Sequence, residues 1–367
     1  MKPHTLKPYS PLAGLLVCLL FGQCLCVAAQ TFVPASDPRL AYVGRVSFAH
    51  RAYAAFTYPG VQVHAVFHGT SVSMKTKPGS GFFMVEIDDR KPFKVASARK
   101  DSVVLLASGL RDRAHRLTIT YANEGLVLLP RFYGLCLDRG KTLGERPQLP
   151  ARSIEFIGNS ITCGYGNEGD GTEKRHTYSK QNQYYTYAAM ACRELNAQCW
   201  VVARSGIGIY RNTNGSPKGD EKNIQAYYPY TLFATEGERW DFKRHQPDVV
   251  CVNLGTNDTT LPSYSTQLLT EAYKHFLVTL RSHYPKARIV LLTGTMVNGR
   301  RLADIQQAQQ TALNDARKRG DRNVFRFDFT PADGSLGYGI HKHPSLRQHQ
   351  QMARELVPFL RQITGWN

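Results

Sequence analysis

Two patterns of apolar and polar positions run along the chain, and they change over near residue 150. From Phe32 to about Arg146 the apolar residues tend to alternate with polar ones. Val61-Gln62-Val63-His64-Ala65-Val66-Phe67, Ser71–Lys75, Phe82–Ile87 and Thr118–Tyr121 all follow this period. Pro59-Gly60, His68-Gly69 and Asp88-Asp89 punctuate the runs as turns. Many short strands at close spacing, without a convincing helix, predict an all-β antiparallel sandwich over 30–146. A linker rich in Pro, Arg and Gly, Asp138 to Arg152, ends it. Beyond the linker, apolar strands alternate with amphipathic helices. The strands are expected at Ile154–Ile157, Trp200–Ala203, Val249–Leu254, Ile289–Leu292 and Val324–Phe327. The helices are expected at Tyr184–Leu195, Ser265–Tyr284, Arg301–Gly320 and Ser345–Thr364. In the second of these, Tyr273, Phe276, Leu277 and Leu280 make one apolar face. This alternation predicts an α/β domain over 150–367 built on a doubly wound parallel sheet. No internal repeat or low-complexity segment interrupts either half.

The first 29 residues stand apart. Lys2 and Lys7 form a basic start, Leu12 to Phe21 an apolar run too short to span a bilayer comfortably, and Val27-Ala28-Ala29 a small-residue cleavage site before Gln30. Cys24 and Cys26 do not follow the small residues a lipoprotein site needs. The expectation is a cleaved signal peptide, an exported (secreted or periplasmic) protein, and no integral membrane segment after cleavage. Cys18, Cys24 and Cys26 would leave with the peptide. Cys136, Cys163, Cys192, Cys199 and Cys251 remain, an odd number that leaves at least one free thiol. Cys192 and Cys199 are close enough to bridge across the end of a helix, whereas the others sit in apolar runs and read as small buried residues. No CxxC pair or Cys/His cluster has the spacing of a metal site. The net charge of +18 is scattered, with only short clusters such as Arg317-Lys318-Arg319. In an exported chain it reads as solubility and attraction to acidic polysaccharide, with no nucleic-acid partner.

Chemistry is expected where parallel strands end. Ser153-Ile154-Glu155-Phe156-Ile157-Gly158-Asn159-Ser160 is a short apolar run that stops abruptly and delivers a hydroxyl to the carboxyl edge of the sheet. Alone, this segment is equally a nucleophile or an ordinary loop serine. Three further strand or helix ends carry unusual residues: Ala203-Arg204-Ser205-Gly206-Ile207-Gly208, Leu254-Gly255-Thr256-Asn257-Asp258, and Ile340-His341-Lys342-His343-Pro344-Ser345 before the last helix. Acyl transfer needs a hydroxyl nucleophile, a base and donors for an oxyanion. Ser160 supplies the first and His343 the second. The Gly206 N–H and the Asn257 side-chain amide supply donors, unless they are simply a turn glycine and a loop cap.

Gly-Asn-Ser, Ser-Gly-x-Gly, Gly-Thr-Asn-Asp and His-Pro-Ser, in that order, resemble the four blocks of SGNH-type, GDSL-like esterases. The chain is more similar still to carbohydrate esterase family 2, through Tyr42-Val43-Gly44-Arg45, Phe67-His68-Gly69-Thr70-Ser71, Val85-Glu86-Ile87-Asp88, Ile154–Asn167 and Gly206–Asn212. The resemblance covers nearly all of the chain beyond the leader. It implies a jelly-roll-like amino-terminal sandwich and a flavodoxin-like SGNH hydrolase domain. It also implies an acetylxylan esterase-like activity that removes acetyl groups from plant polysaccharides such as xylan and glucomannan, without metal or cofactor. By the resemblance Ser160 is the nucleophile and His343 the base, while Gly206, Asn257 and the Ser160 N–H form the oxyanion hole.

Two departures qualify this. Asn159 stands where the family usually has Asp, and an amide is expected to keep much of the hydrogen bonding. His341 stands two residues before His343, where an Asp often orients the base, and an imidazole cannot replace that carboxylate. A Ser–His dyad with a backbone carbonyl behind His343 is therefore expected, with Asp333 as a more distant alternative. Lys342 takes the place of a Trp that often stacks on sugar, which favours an acidic glycan. Two other readings remain: a non-catalytic glycan-binding protein, and the same esterase chemistry on acetylated bacterial or host glycans.

Overall fold

The computed structural model describes residues 30–97, 100, 102–233 and 237–367; the expected signal peptide lies outside the described residues. Ten strands form the first half: β1 (Thr31–Pro34), β2 (Ala41–Val43), β3 (Ala54–Ala55), β4 (Gln62–Gly69), β5 (Val72–Thr76), β6 (Gly81–Ile87), β7 (Phe93–Ser97), β8 (Val103–Ala107), β9 (Arg113–Tyr121) and β10 (Arg131–Leu137). They make two antiparallel sheets, β1-β10-β5-β8 with β3 also on β10, and β2-β4-β9-β6-β7. The inward members of the alternating runs, among them Val63, Ala65, Val72, Met74, Val85, Leu117, Ile119 and Leu135, share one core between the sheets. The sandwich expected from the period-two pattern is thus present.

The second half is a three-layer α/β/α unit. Strands β11 (Arg152–Gly158), β12 (Ala197–Ala203), β13 (Val249–Asn253), β14 (Arg288–Thr293) and β15 (Val324–Asp328) run parallel in the order β12-β11-β13-β14-β15. Helices α4 (Thr266–His283) and α5 (Gly299–Lys318) cover one face. Helices α1 (Ser160–Cys163), α2 (Tyr187–Glu194) and α6 (Leu346–Thr364) cover the other, and α3 (Ile224–Tyr227) lies in a long connection. Strands β11 to β14 are buried on both faces, which is why their sequences read as near-continuous apolar runs rather than alternations, whereas β15 at the sheet edge is only partly buried. The chain order reverses direction at β11, between β12 and β13, and such a switch point opens a crevice at the carboxyl ends of the strands.

The two halves are bolted together by polar groups. Arg45 of the sandwich enters the hydrolase half fully buried. It pairs with Glu155 of β11 at 3.6 Å, donates to the carbonyls of Tyr228 and Tyr230, and lies 4.7 Å over the Tyr228 ring. Glu155 also accepts from the hydroxyls of Tyr228 (2.6 Å) and Tyr284 (2.8 Å). The Lys94 ammonium contacts the Glu168 carboxylate, and Thr57 Oγ1 accepts from the Phe233 amide at 2.6 Å. Cys136, Cys163, Cys192, Cys199 and Cys251 are all buried free thiols, so Cys192 and Cys199 are neighbours without a bridge. Burial, and then the adjacent Cys199, hold the Cys192 thiol far above its ordinary pKa. No described helix is long and apolar enough to cross a membrane.

Candidate active site

Register sets the site. Gly158 at the end of β11 pairs with Ala203 on one side and Asn253 on the other, so the turns carrying Ser160, Gly206 and Asn257 leave the sheet at one level. Gly158 must lack a side chain, because a Cβ there would meet Thr162 Oγ1 at 2.1 Å. That closeness lets the chain double back at once into α1. Asn159 caps α1, its Oδ1 accepting from the Ile161 amide at 3.0 Å, and Ser160 is the first helical residue. The amide nitrogen of Asn159 is buried with no partner.

Ser160 Oγ lies 2.9 Å from His343 Nε2, although the two residues are 183 positions apart. On the far side of the ring, His343 Nδ1 lies 3.0 Å from the Ile340 carbonyl. That carbonyl accepts only a proton on Nδ1, so Nε2 is the lone-pair nitrogen and accepts the hydrogen bond of the Ser160 hydroxyl. Burial, more than any neighbour, pushes the His343 pKa down to about 4, so the ring is neutral at neutral pH. Asp333 does not reach this ring. It is exposed and accepts from the amide and hydroxyl of Ser335, so the distant-partner alternative is not what the structure forms.

His341 is occupied elsewhere. It sits at φ 54° and Lys342 at φ 58°, two consecutive non-glycine residues in the left-handed region, which carries local strain. The turn they make aims Ile340 O at His343. His341 Nε2 donates to the Lys174 carbonyl at 3.0 Å, and its Nδ1 accepts from the Tyr165 hydroxyl at 3.1 Å. Tyr165 packs at 4.0 Å from His176 and 4.5 Å from His343, centroid to centroid. It walls the His343 ring with an aromatic face, and the sequence alone gives it no role.

Gly206 has φ +80°, a conformation that favours glycine, and its carbonyl accepts from the Thr213 amide at 2.8 Å. Asn257 uses one of its two amide protons on Ile207 O at 2.7 Å, which fixes the side chain and leaves the other proton. The loop 206–212 is held from below by Asp258. This buried carboxylate accepts from the amides of Ile209 (2.9 Å), Tyr210 (2.8 Å), Arg211 (2.9 Å) and Gly255 (3.1 Å). Desolvation raises its pKa and the backbone donors oppose that rise. Asp258 was visible in its sequence block, but its function as an anchor depends on residues some fifty positions earlier. Among the described residues, no group of three or more His, Cys, Asp or Glu side chains could hold a metal ion. A cavity of about 610 Å³, lined by Tyr42, Phe48, Trp200, Trp240, Arg244 and His245, lies between the halves and includes neither Ser160 nor His343.

A parallel sheet of this order sets a hydroxyl on an imidazole at its switch point, and the class of the chain, a carboxylic ester hydrolase with a GDSL-like domain, follows from the proteins it resembles. Residues 42–147 match the model described as carbohydrate esterase 2 N-terminal, and residues 156–351 match the GDSL-like lipase/acylhydrolase family. The chain is 37% identical over 331 residues to the cellulase/esterase CelE of Acetivibrio thermocellus, which covers 90% of this chain but only 40% of CelE. It is 31% identical over 342 residues to an acetylxylan esterase / glucomannan deacetylase of Cellvibrio japonicus, covering 91% of each. A family two carbohydrate esterase from Clostridium thermocellum, solved in complex with cellohexaose, superposes with a TM-score of 0.83 at 36% identity, over 89% of this chain and all of that one. The chain belongs to carbohydrate esterase family 2.

Proposed function

We propose that this protein is an exported serine esterase that removes O-acetyl groups from plant polysaccharides of the xylan or glucomannan type. Ser160 would be the nucleophile and His343 the base, working as a dyad. The observation that carries this reading is the 2.9 Å approach of Ser160 Oγ to a neutral His343 whose other nitrogen is held by a carbonyl. The reaction runs in two halves. Ser160 Oγ attacks the acetyl carbonyl carbon while its proton passes to His343 Nε2, and the carbonyl oxygen becomes an oxyanion. The Ser160 N–H, the Gly206 N–H and the free amide proton of Asn257 are the donors available to that oxygen. His343 returns the proton to the departing sugar oxygen, leaving an acetyl-enzyme. Water then attacks under the same base, and acetate leaves as Ser160 recovers its proton.

The substrate class is supported by the acetylxylan esterase / glucomannan deacetylase relative and by the cellohexaose complex of the similar structure. Export is supported by the leader pattern, and the mature protein should begin at Gln30 when secreted. Purified protein should release acetate from acetylated xylan or glucomannan, and Ser160→Ala should lower kcat by at least about a thousandfold. Binding to these polysaccharides without acetate release would refute the reading in favour of a glycan-binding protein.

A further inference from the structure

We infer that Glu124, on the connection between β9 and β10 of the sandwich, is the positioning residue that holds the oxyanion donors of the hydrolase domain. The inference rests on the esterase reading above. Glu124 Oε1 accepts from the Ser205 amide at 2.6 Å, and Oε2 accepts from the Ser205 hydroxyl at 2.5 Å. Ser205 is therefore gripped at both backbone and side chain. The next N–H along the chain is that of Gly206, and its direction depends on the backbone torsions of Ser205 and Gly206. From the other end, the Thr213 amide pins Gly206 O at 2.8 Å. With both ends fixed, the peptide between residues 205 and 206 cannot turn its N–H away.

The same carboxylate reaches the second donor element. Glu124 Oε2 accepts from Gln181 Nε2 at 3.1 Å, and that nitrogen also lies 3.4 Å from the carbonyl of Cys163, the last residue of α1. One side chain thus links the turn of Gly206 to the helix that begins at Ser160. Its mount is rigid. The neighbouring Asn123 accepts from the Phe82 amide (2.8 Å) and donates to the carbonyls of Tyr178 (2.8 Å) and Gln181 (3.1 Å). Ala122 O accepts from the Gln183 amide at 2.9 Å. Gly125 donates to Thr57 O at 2.8 Å and has no space for a Cβ, which would lie 2.8 Å from Thr57 Cα. The sandwich is in this account a part of the catalytic framework, and Glu124 acts on the reaction through Ser205 and Gln181 without touching substrate.

The test uses the full chain and 4-nitrophenyl acetate. Glu124→Ala should lower kcat about a hundredfold with KM within about threefold, because a donor displaced by an ångström costs rate and not ground-state binding. Glu124→Gln retains an oxygen for the Ser205 amide and should recover most of the loss. Phenylboronic acid, which forms a tetrahedral adduct on the nucleophile, should lose inhibitory potency against Glu124→Ala in proportion to kcat. Ser205→Ala removes one arm of the grip and should lower kcat by about tenfold; added to Glu124→Ala, it should cause little further loss. If Glu124→Ala does not fold, the tenfold loss expected of Ser205→Ala decides the matter. Wild-type kcat and boronate inhibition in Glu124→Ala, or in Ser205→Ala where Glu124→Ala does not fold, would overturn the inference, as would a kcat loss unaccompanied by weaker boronate inhibition. Wild-type turnover and its loss in Ser160→Ala test the esterase reading separately, so either can fail without the other.

Discussion

His343 is neutral because it is buried, and the pH dependence of the reaction follows from that. Its folded pKa is about 4, below the ordinary histidine value of 6.5, so the base form persists well into acid. The acid limb of kcat/KM should therefore fall near pH 4, with a plateau from about pH 6 to about pH 8. A limb near 6.5 would mean that the ring is more solvated than its packing against Tyr165 indicates. The same burial has a stability sign. His64, His343 and His349 are all held low, chiefly by desolvation, at about 4, 4 and 3. Their unfolded forms bind protons that the folded forms refuse, so stability should decline as pH falls from about 6.5 toward 4. At this scale much was legible in sequence. Ser160, Gly206, Asn257 and His343 each follow a strand or precede a helix, where local pattern is informative. The substitutions Asn159 and His341 were also visible, but not what they do: one caps α1, and the other bonds Tyr165 and Lys174. Tyr165 went unassigned because aromatic packing on a ring nearly two hundred residues away has no local signature.

Long, periodic elements are legible in the sequence, and short ones are not. The five parallel strands and the four longer helices lie within a few residues of their expected bounds, since burial on two faces or on one face leaves an unmistakable pattern. Helix α1 has four residues, too few for a period, and its sequence reads only as a loop after a strand. The loop 206–212 has no regular structure and derives its shape from Asp258. Replacing that carboxylate by Asn would turn one acceptor oxygen into a donor facing backbone N–H groups. Asp258→Asn should destabilise the protein by about 2–4 kcal/mol in urea unfolding. It should also lower kcat more than it raises KM, because the turn it loosens carries Gly206. Unchanged stability and rate would mean that the loop holds its shape without this anchor.

For the whole molecule, the pattern along the chain separated a sandwich from an α/β unit but gave no view of how they join. The joint is built from Arg45, Glu155, Glu124 and Lys94, whose partners are 57 to 185 positions away, beyond the reach of any sequence window. Arg45 and Glu155 are each 1% exposed, so truncating one strands the other as a buried charge. Arg45→Met should lower stability by about 3–5 kcal/mol, and Arg45→Met with Glu155→Met should regain part of it, as read by urea midpoints. Equal midpoints for wild type and Arg45→Met would show that the halves do not depend on this pair. The chemistry centres, however, on one atom. Wild-type protein quenched in acid during turnover of 4-nitrophenyl acetate and digested for mass spectrometry should carry a single acetyl group on Ser160, and His343→Ala should accumulate none. Acetyl found on another residue, or turnover persisting in Ser160→Ala, would contradict it.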